Sequence, residues 1–193
     1  MIVHLVIVLL IFIVVSTAHE LSHFFSLRFF GLPVYRLSFG FGPVLFRKAL
    51  TNGPVQEISF KLLPFTLGTS FDVDNPKFLR LSHWSKIIIF ASGSFCNFVL
   101  AFIASLFIDY GSALKPSSIP NDLEDITRIF IVLNLLLAIF NLFPLSRFDG
   151  GYIFDSIVAK YGARWPHRAI QDVKIITTAL LALLVFYLYR FWI

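Results

Sequence analysis

The chain's densest cluster of reactive side chains is His19-Glu20-Leu21-Ser22-His23. On an α-helix, residues four apart share a face one turn from each other, so both imidazoles can reach one ion while the intervening carboxylate lies beside it. That chemistry is a two-ligand zinc half-site with a general base attached. With five His and three Glu in the whole chain, chance assembles such a pentad in roughly a few per thousand shuffles. A single cysteine, Cys96, allows no internal disulfide and no Cys-rich metal site, so any metal must be held by His and carboxylate.

Catalytic zinc usually has three protein ligands and one open position. Asp149 is the candidate third ligand, lying in Asn141-Leu142-Phe143-Pro144-Leu145-Ser146-Arg147-Phe148-Asp149-Gly150-Gly151. Pro144 removes a helix hydrogen bond and Gly150-Gly151 permit unusual backbone angles, so the carboxylate is expected on a broken helix that can turn inward.

The elements that must position these groups are apolar. The 193 residues are 58% hydrophobic and 14% charged, against about 25% charged in a soluble domain. This composition excludes a disordered or nucleic-acid-binding chain and points to one membrane-embedded domain over residues 1–193. Four stretches approach the roughly 20 residues a membrane helix needs: about 2–30, 87–108, 129–145 and 175–193. Thirteen Ile, Val, Leu and Phe residues between Ile2 and Val15 supply about −4 to −8 kcal/mol of insertion free energy, enough to carry a carboxylate costing about +3 near mid-helix. The absence of Lys or Arg ahead of that run argues against a cleaved signal peptide.

The net charge of +5 reads as a topology signal. Eight Lys and Arg fall between the first two spans and five between the last two, so these connections are expected in the cytoplasm, with both termini outside. The pentad and Asp149 then sit at similar depth near the cytoplasmic face. Between spans one and two the pattern alternates, with Leu37, Phe39 and Phe41, then Ile58, Phe60 and Leu62, separated by Asn52-Gly53. Period two flanking that dipeptide predicts a β-hairpin at the cytoplasmic face, within about 34–71. The fold class is therefore mainly α: a polytopic bundle of four transmembrane helices with one small hairpin between helices 1 and 2.

His19–His23 with Phe24 and Arg28, then Arg36-Leu37-Ser38-Phe39-Gly40-Phe41-Gly42-Pro43, then Ser92-Gly93-Ser94-Phe95-Cys96-Asn97-Phe98, then Asn141–Gly151 resemble the site-2 protease family of intramembrane zinc metalloproteases, in detail the bacterial regulator-of-sigma-E type. The resemblance covers most of residues 15–155. It implies His19, His23 and Asp149 as Zn2+ ligands, Glu20 as catalytic base, transmembrane proteins or remnant signal peptides as substrates, and the bacterial cytoplasmic membrane as location. Three departures stand out. Residues 109–128 cannot hold the PDZ domain often inserted there, Pro64-Phe65-Thr66-Leu67-Gly68 replaces the expected Pro-Leu-Gly-Gly-Tyr, and Phe148 replaces the Leu before Asp-Gly.

A transmembrane substrate helix hides its carbonyls in hydrogen bonds and must unwind before attack. An exposed edge of the Val34–Leu62 hairpin, with Ile58 and Phe60 on it, is expected to catch the unwound chain by strand addition. Asn141 and Asn97 are candidate donors to an oxyanion or to the substrate backbone, each weighed against a plain interhelical hydrogen bond. Gly93, Asn97, Ala101 and Ser105 form a small-residue row that reads as a packing seam. His4, His83 and His167 have no partner at ligand spacing, and Trp84, Trp165 and Trp192 mark span ends. The rival readings are an inactive membrane scaffold binding partner helices and a small metal carrier, which would need more polar residues along the spans.

Overall fold

A computed structural model describes residues 2–50, 53, 55–70, 74–114, 121–145, 148–161, 171–173, 175–177 and 179–180. They fall into two compact units, residues 1–81 with 92–139 and residues 82–91 with 140–193.

The first unit opens with helix α1, Ile2–Phe29. No Gly or Pro interrupts the run until Gly31, whose φ of 69° is the left-handed conformation that ends a helix. The Gly31 N–H donates to the Arg28 carbonyl at 3.0 Å and the Leu32 N–H to the Leu27 carbonyl at 2.9 Å, and Pro33 forbids continuation. The residues α1 buries recur every fourth position: Ile11, Val15, His19, His23 and Leu27, joined by Ser16. A 28-residue helix is about 42 Å long, more than the roughly 30 Å hydrocarbon layer.

Strands β1, Val34–Ala49, and β2, Val55–Ser70, form a sheet that packs on α1 mainly through β2. Each strand is bent into two pairing segments, so the sheet is richer than the single hairpin expected from the alternation. Val34–Phe39 runs parallel to Val55–Phe60, with Val34 opposite Val55 and Phe39 opposite Phe60. Val44–Ala49 folds back antiparallel on Glu57–Lys61, the expected hairpin, whose turn residue Asn52 lies outside the described residues. Leu67–Ser70 returns antiparallel to Arg36–Phe39 on the other side. The bend in β1 falls at Gly40 (φ 101°) and Gly42 (φ 90°), angles that a Cβ makes costly.

The segment order across the sheet is thus Val44–Ala49, Val55–Lys61, Val34–Phe39, Leu67–Ser70. Cross-strand pairs hold the register: the Arg36–Glu57 ion pair at 2.5 Å, the buried Ser59 hydroxyl donating to Ser38 Oγ at 3.0 Å, and Phe39 stacked on Phe60 at 5.1 Å. This order corrects the expectation for Ile58 and Phe60. They sit on an inner segment paired on both sides, and among the described residues the segments paired with the sheet on one side only are Val44–Ala49 and Leu67–Ser70.

A four-residue helix α2, Pro76–Leu79, capped by the Asn75 side chain, precedes α3, His83–Leu114. In the first unit α3 buries Gly93, Ser94, Asn97 and Ala101, in agreement with the seam expected there, whereas Ser105 is not buried. Helix α4, Asn121–Leu142, begins at Asp122 and Glu124 and buries Asn134 and Ala138. Among the described residues, α1 and the His83–Asp109 part of α3 are long and apolar enough to cross a membrane. They coincide with expected spans one and two. The third expected span is helical through Leu142, and most of the fourth, 175–193, lies outside the described residues.

In the second unit α4 stops two residues before Pro144, as the missing N–H requires. Helix α5, Asp149–Tyr161, starts after a turn in which the Phe148 N–H donates to the Leu145 carbonyl at 3.1 Å. Gly150 and Gly151 are helical and neither has a positive φ, so unusual backbone angles are not their role. A Cβ on Gly150 would overlap the Leu142 carbonyl and stand 2.5 Å from the Phe143 oxygen, so glycine is needed for close approach. Phe90 stacks on Tyr152 at 4.5 Å, and Lys160 Nζ lies 4.2 Å over the Trp84 ring. Gly150→Ala should destabilise the protein by about 1–3 kcal/mol, read as a drop of several degrees in the detergent-solubilised melting temperature; an unchanged melting temperature would refute the close-approach reading.

Candidate metal centre

The candidate centre is built on the buried stripe of α1. Because His19 and His23 are one turn apart and both face inward, their Nε2 atoms come within 3.2 Å of each other, with ring planes at 76°. Two ligand nitrogens at 2.0–2.1 Å from a tetrahedral zinc are separated by about 3.3–3.4 Å, so this donor pair fits such an ion.

The opposing surface is Gly93 of α3. A Cβ there would stand 2.6 Å from His19 Nε2 and Cε1 and would overlap His23 Nε2. The buried glycine therefore makes the space in which the imidazoles converge. Expected only as part of a packing seam, Gly93 is also a wall of the candidate site. Its neighbour Ser92 places Oγ 3.3 Å from His23 Nδ1, while the Ser22 hydroxyl donates to the Ser92 carbonyl at 2.8 Å and ties α1 to α3 beside the pentad. A partner on Nδ1 fixes the ring and leaves Nε2 directed at the site.

Glu20 lies off the His stripe, half-buried against β2. Its Oε2 accepts the Thr69 backbone N–H at 2.7 Å, and its main-chain carbonyl accepts the Thr69 hydroxyl at 3.0 Å. The sheet edge Leu67–Ser70 therefore runs beside the candidate base. Thr69 had no local sequence signal, since it meets Glu20 across 49 residues. Asn97, one turn along α3 from Gly93, is fully buried, and neither its Nδ2 nor its Oδ1 has a hydrogen-bond partner among the described residues. Asn134, which sequence reading passed over, is equally buried, and its amide donates to the Phe130 carbonyl at 2.8 Å.

Asp149 and Asn141 belong to the second unit. There Asp149 is the first residue of α5, half-buried, and Asn141 lies in the last turn of α4. A carboxylate at a helix N-terminus is favoured by the helix dipole.

Gly93→Ala should force the imidazoles apart and weaken Zn2+ binding at least about tenfold, the scale seen when support around a metal ligand is lost. Zn2+ titration of the purified chain checks this, and undiminished affinity would show that the two rings do not need that space.

Residues 6–120 and 112–186 match Peptidase family M50. A protein of Borreliella burgdorferi named "Putative zinc metalloprotease" is 25% identical over 114 residues, 50% of this chain and 25% of that protein. "Putative zinc metalloprotease YwhC" of Bacillus subtilis is 26% identical over 162 residues, 78% of this chain and 68% of its own length. The matched part of the chain thus spans a quarter of the first relative and about two thirds of the second. With the match extending over most of its length and through the pentad, this chain belongs to peptidase family M50.

Proposed function

We propose that the chain is an intramembrane zinc endopeptidase in which His19, His23 and Asp149 hold the metal and Glu20 is the general base. The observation that carries this reading is the pair of buried imidazole nitrogens 3.2 Å apart, with a carboxylate on the same helix turn. When bound, zinc would lower the pKa of a nearby water far below its bulk value and polarise the scissile carbonyl. Glu20 takes the proton of the attacking water and returns it to the leaving amine. Ser92 holds the His23 ring with Nε2 inward. Asn97 and Asn141 are the donors we assign to the developing oxyanion or the substrate backbone.

The substrates are transmembrane segments or remnant signal peptides, cut where the apolar run of α1 gives way to the polar pentad, near the cytoplasmic face of the bilayer. From Ile2 to His19 the helix rises about 25 Å, which favours a site toward the far side of the hydrocarbon layer from its N-terminus. The unwound substrate adds to the edge segment Leu67–Ser70 beside Glu20, through outward backbone groups other than the Thr69 N–H, in place of the Ile58–Phe60 segment. Strand addition brings a carbonyl row past the base without side-chain selectivity.

Glu20→Gln should retain zinc and lose peptide cleavage by about 10²–10⁴-fold. Metal content and cleavage of a co-reconstituted single-pass peptide, compared with the unaltered chain, measure both. Retained hydrolysis would overturn the base assignment, and an unaltered chain that binds zinc but cleaves nothing would favour the scaffold reading. Asp149→Ala should abolish zinc retention; full retention would remove Asp149 from the ligand set.

A further inference from the structure

We infer that Thr69 is a positioning residue for Glu20, clamping the base to the edge of the sheet through its backbone N–H and its hydroxyl. The inference rests on the reading of Glu20 as general base and adds a residue that neither the pentad nor its spacing reveals. A Glu side chain has three rotatable bonds, and a base that must meet a water at hydrogen-bond distance works only in a narrow subset of rotamers. At Glu20 both ends of the residue are held by one partner: Oε2 accepts the Thr69 N–H at 2.7 Å, and the main-chain carbonyl accepts the Thr69 hydroxyl at 3.0 Å. The N–H to carboxylate bond is charge-assisted and fixes the carboxylate against the strand.

The geometry of the sheet makes this possible. Leu67–Ser70 pairs with Arg36–Phe39 on one side only, and Thr69, opposite Leu37, turns its N–H to the free side, toward α1. The position of Glu20 is thereby coupled to the same edge on which a substrate strand would lie. The hydroxyl has a separate job from the amide: it ties the α1 backbone to the strand, so the amide arrives at the carboxylate in register.

Thr69→Val removes the hydroxyl at nearly constant shape, and Thr69→Ser keeps it. In proteoliposomes, with a polyleucine single-pass peptide interrupted by one Asn-Gly pair as probe, Thr69→Val should lower kcat about five- to tenfold, the rate equivalent of one hydrogen bond, with KM and zinc content unchanged. Thr69→Ser should restore kcat. Independently of metal and substrate, the Thr69 amide proton in micelle NMR should resonate downfield and move upfield in Glu20→Ala. Wild-type kcat in Thr69→Val, failure of Ser to restore it, loss of zinc or folded yield along with activity, or an amide resonance indifferent to Glu20→Ala would each overturn the clamp. Failure of the readings beneath it would look different: normal cleavage by Glu20→Gln would remove the base assignment, and no cleavage by the unaltered chain would remove the protease reading, in both cases while the amide shift persisted.

Discussion

One helical period governs the molecule. Along α1 the buried residues recur every fourth position, and the apolar members of that row, Ile11, Val15 and Leu27, are interrupted by two imidazoles at the same spacing. The packing that buries the helix therefore also aims the histidines. Side chains on one stripe must converge on whatever the stripe faces, and here it faces a glycine. Had α3 offered even a methyl group at position 93, the rings could not occupy their present places. Helix packing and the convergence of the two imidazoles are one constraint seen from two sides.

The polar groups in this apolar setting are arranged accordingly. A buried imidazole pair without further partners is costly, and the hydroxyls of Ser22 and Ser92 supply local bonds that hold α1 on α3 at that level. The carboxylate of Glu20 is turned off the stripe toward the sheet, where a backbone N–H meets it. The two imidazoles and the carboxylate, adjacent in sequence, are thus supported by different elements: the histidines by α3, the glutamate by β2.

The sheet is the part of the architecture whose detail was least accessible beforehand. Alternation in Val34–Phe41 and Glu57–Leu62 marked strands, and the Asn-Gly dipeptide marked a reversal, so the antiparallel pairing of Val44–Ala49 with Glu57–Lys61 could be read from local chemistry. The parallel contact of Val34–Phe39 with Val55–Phe60 could not, because parallel neighbours are joined through a bend at Gly40 and Gly42 whose direction depends on the rest of the fold. The same bend moved Ile58 and Phe60 to the interior and left Leu67–Ser70 as the edge next to Glu20. Gly150 is a second case: its helical φ gives no reason for glycine, and the crowding by the Leu142 carbonyl does.

Local chemistry alone settled that α1 is a long apolar helix ending before Gly31, that His19 and His23 share a face, that a break follows Leu142 at Pro144, and that strands lie between α1 and α3, since each depends on periodicity, capping or a missing N–H within a few residues. Family membership was likewise carried by short motifs in order. What only the tertiary structure decided is which surfaces meet those residues: Gly93 against the two imidazoles, Ser92 on His23, and Thr69 on Glu20. Such contacts join residues roughly fifty to seventy positions apart, and no propensity or spacing rule acts over that separation; they follow from the way whole helices and strands pack to exclude solvent and fill space.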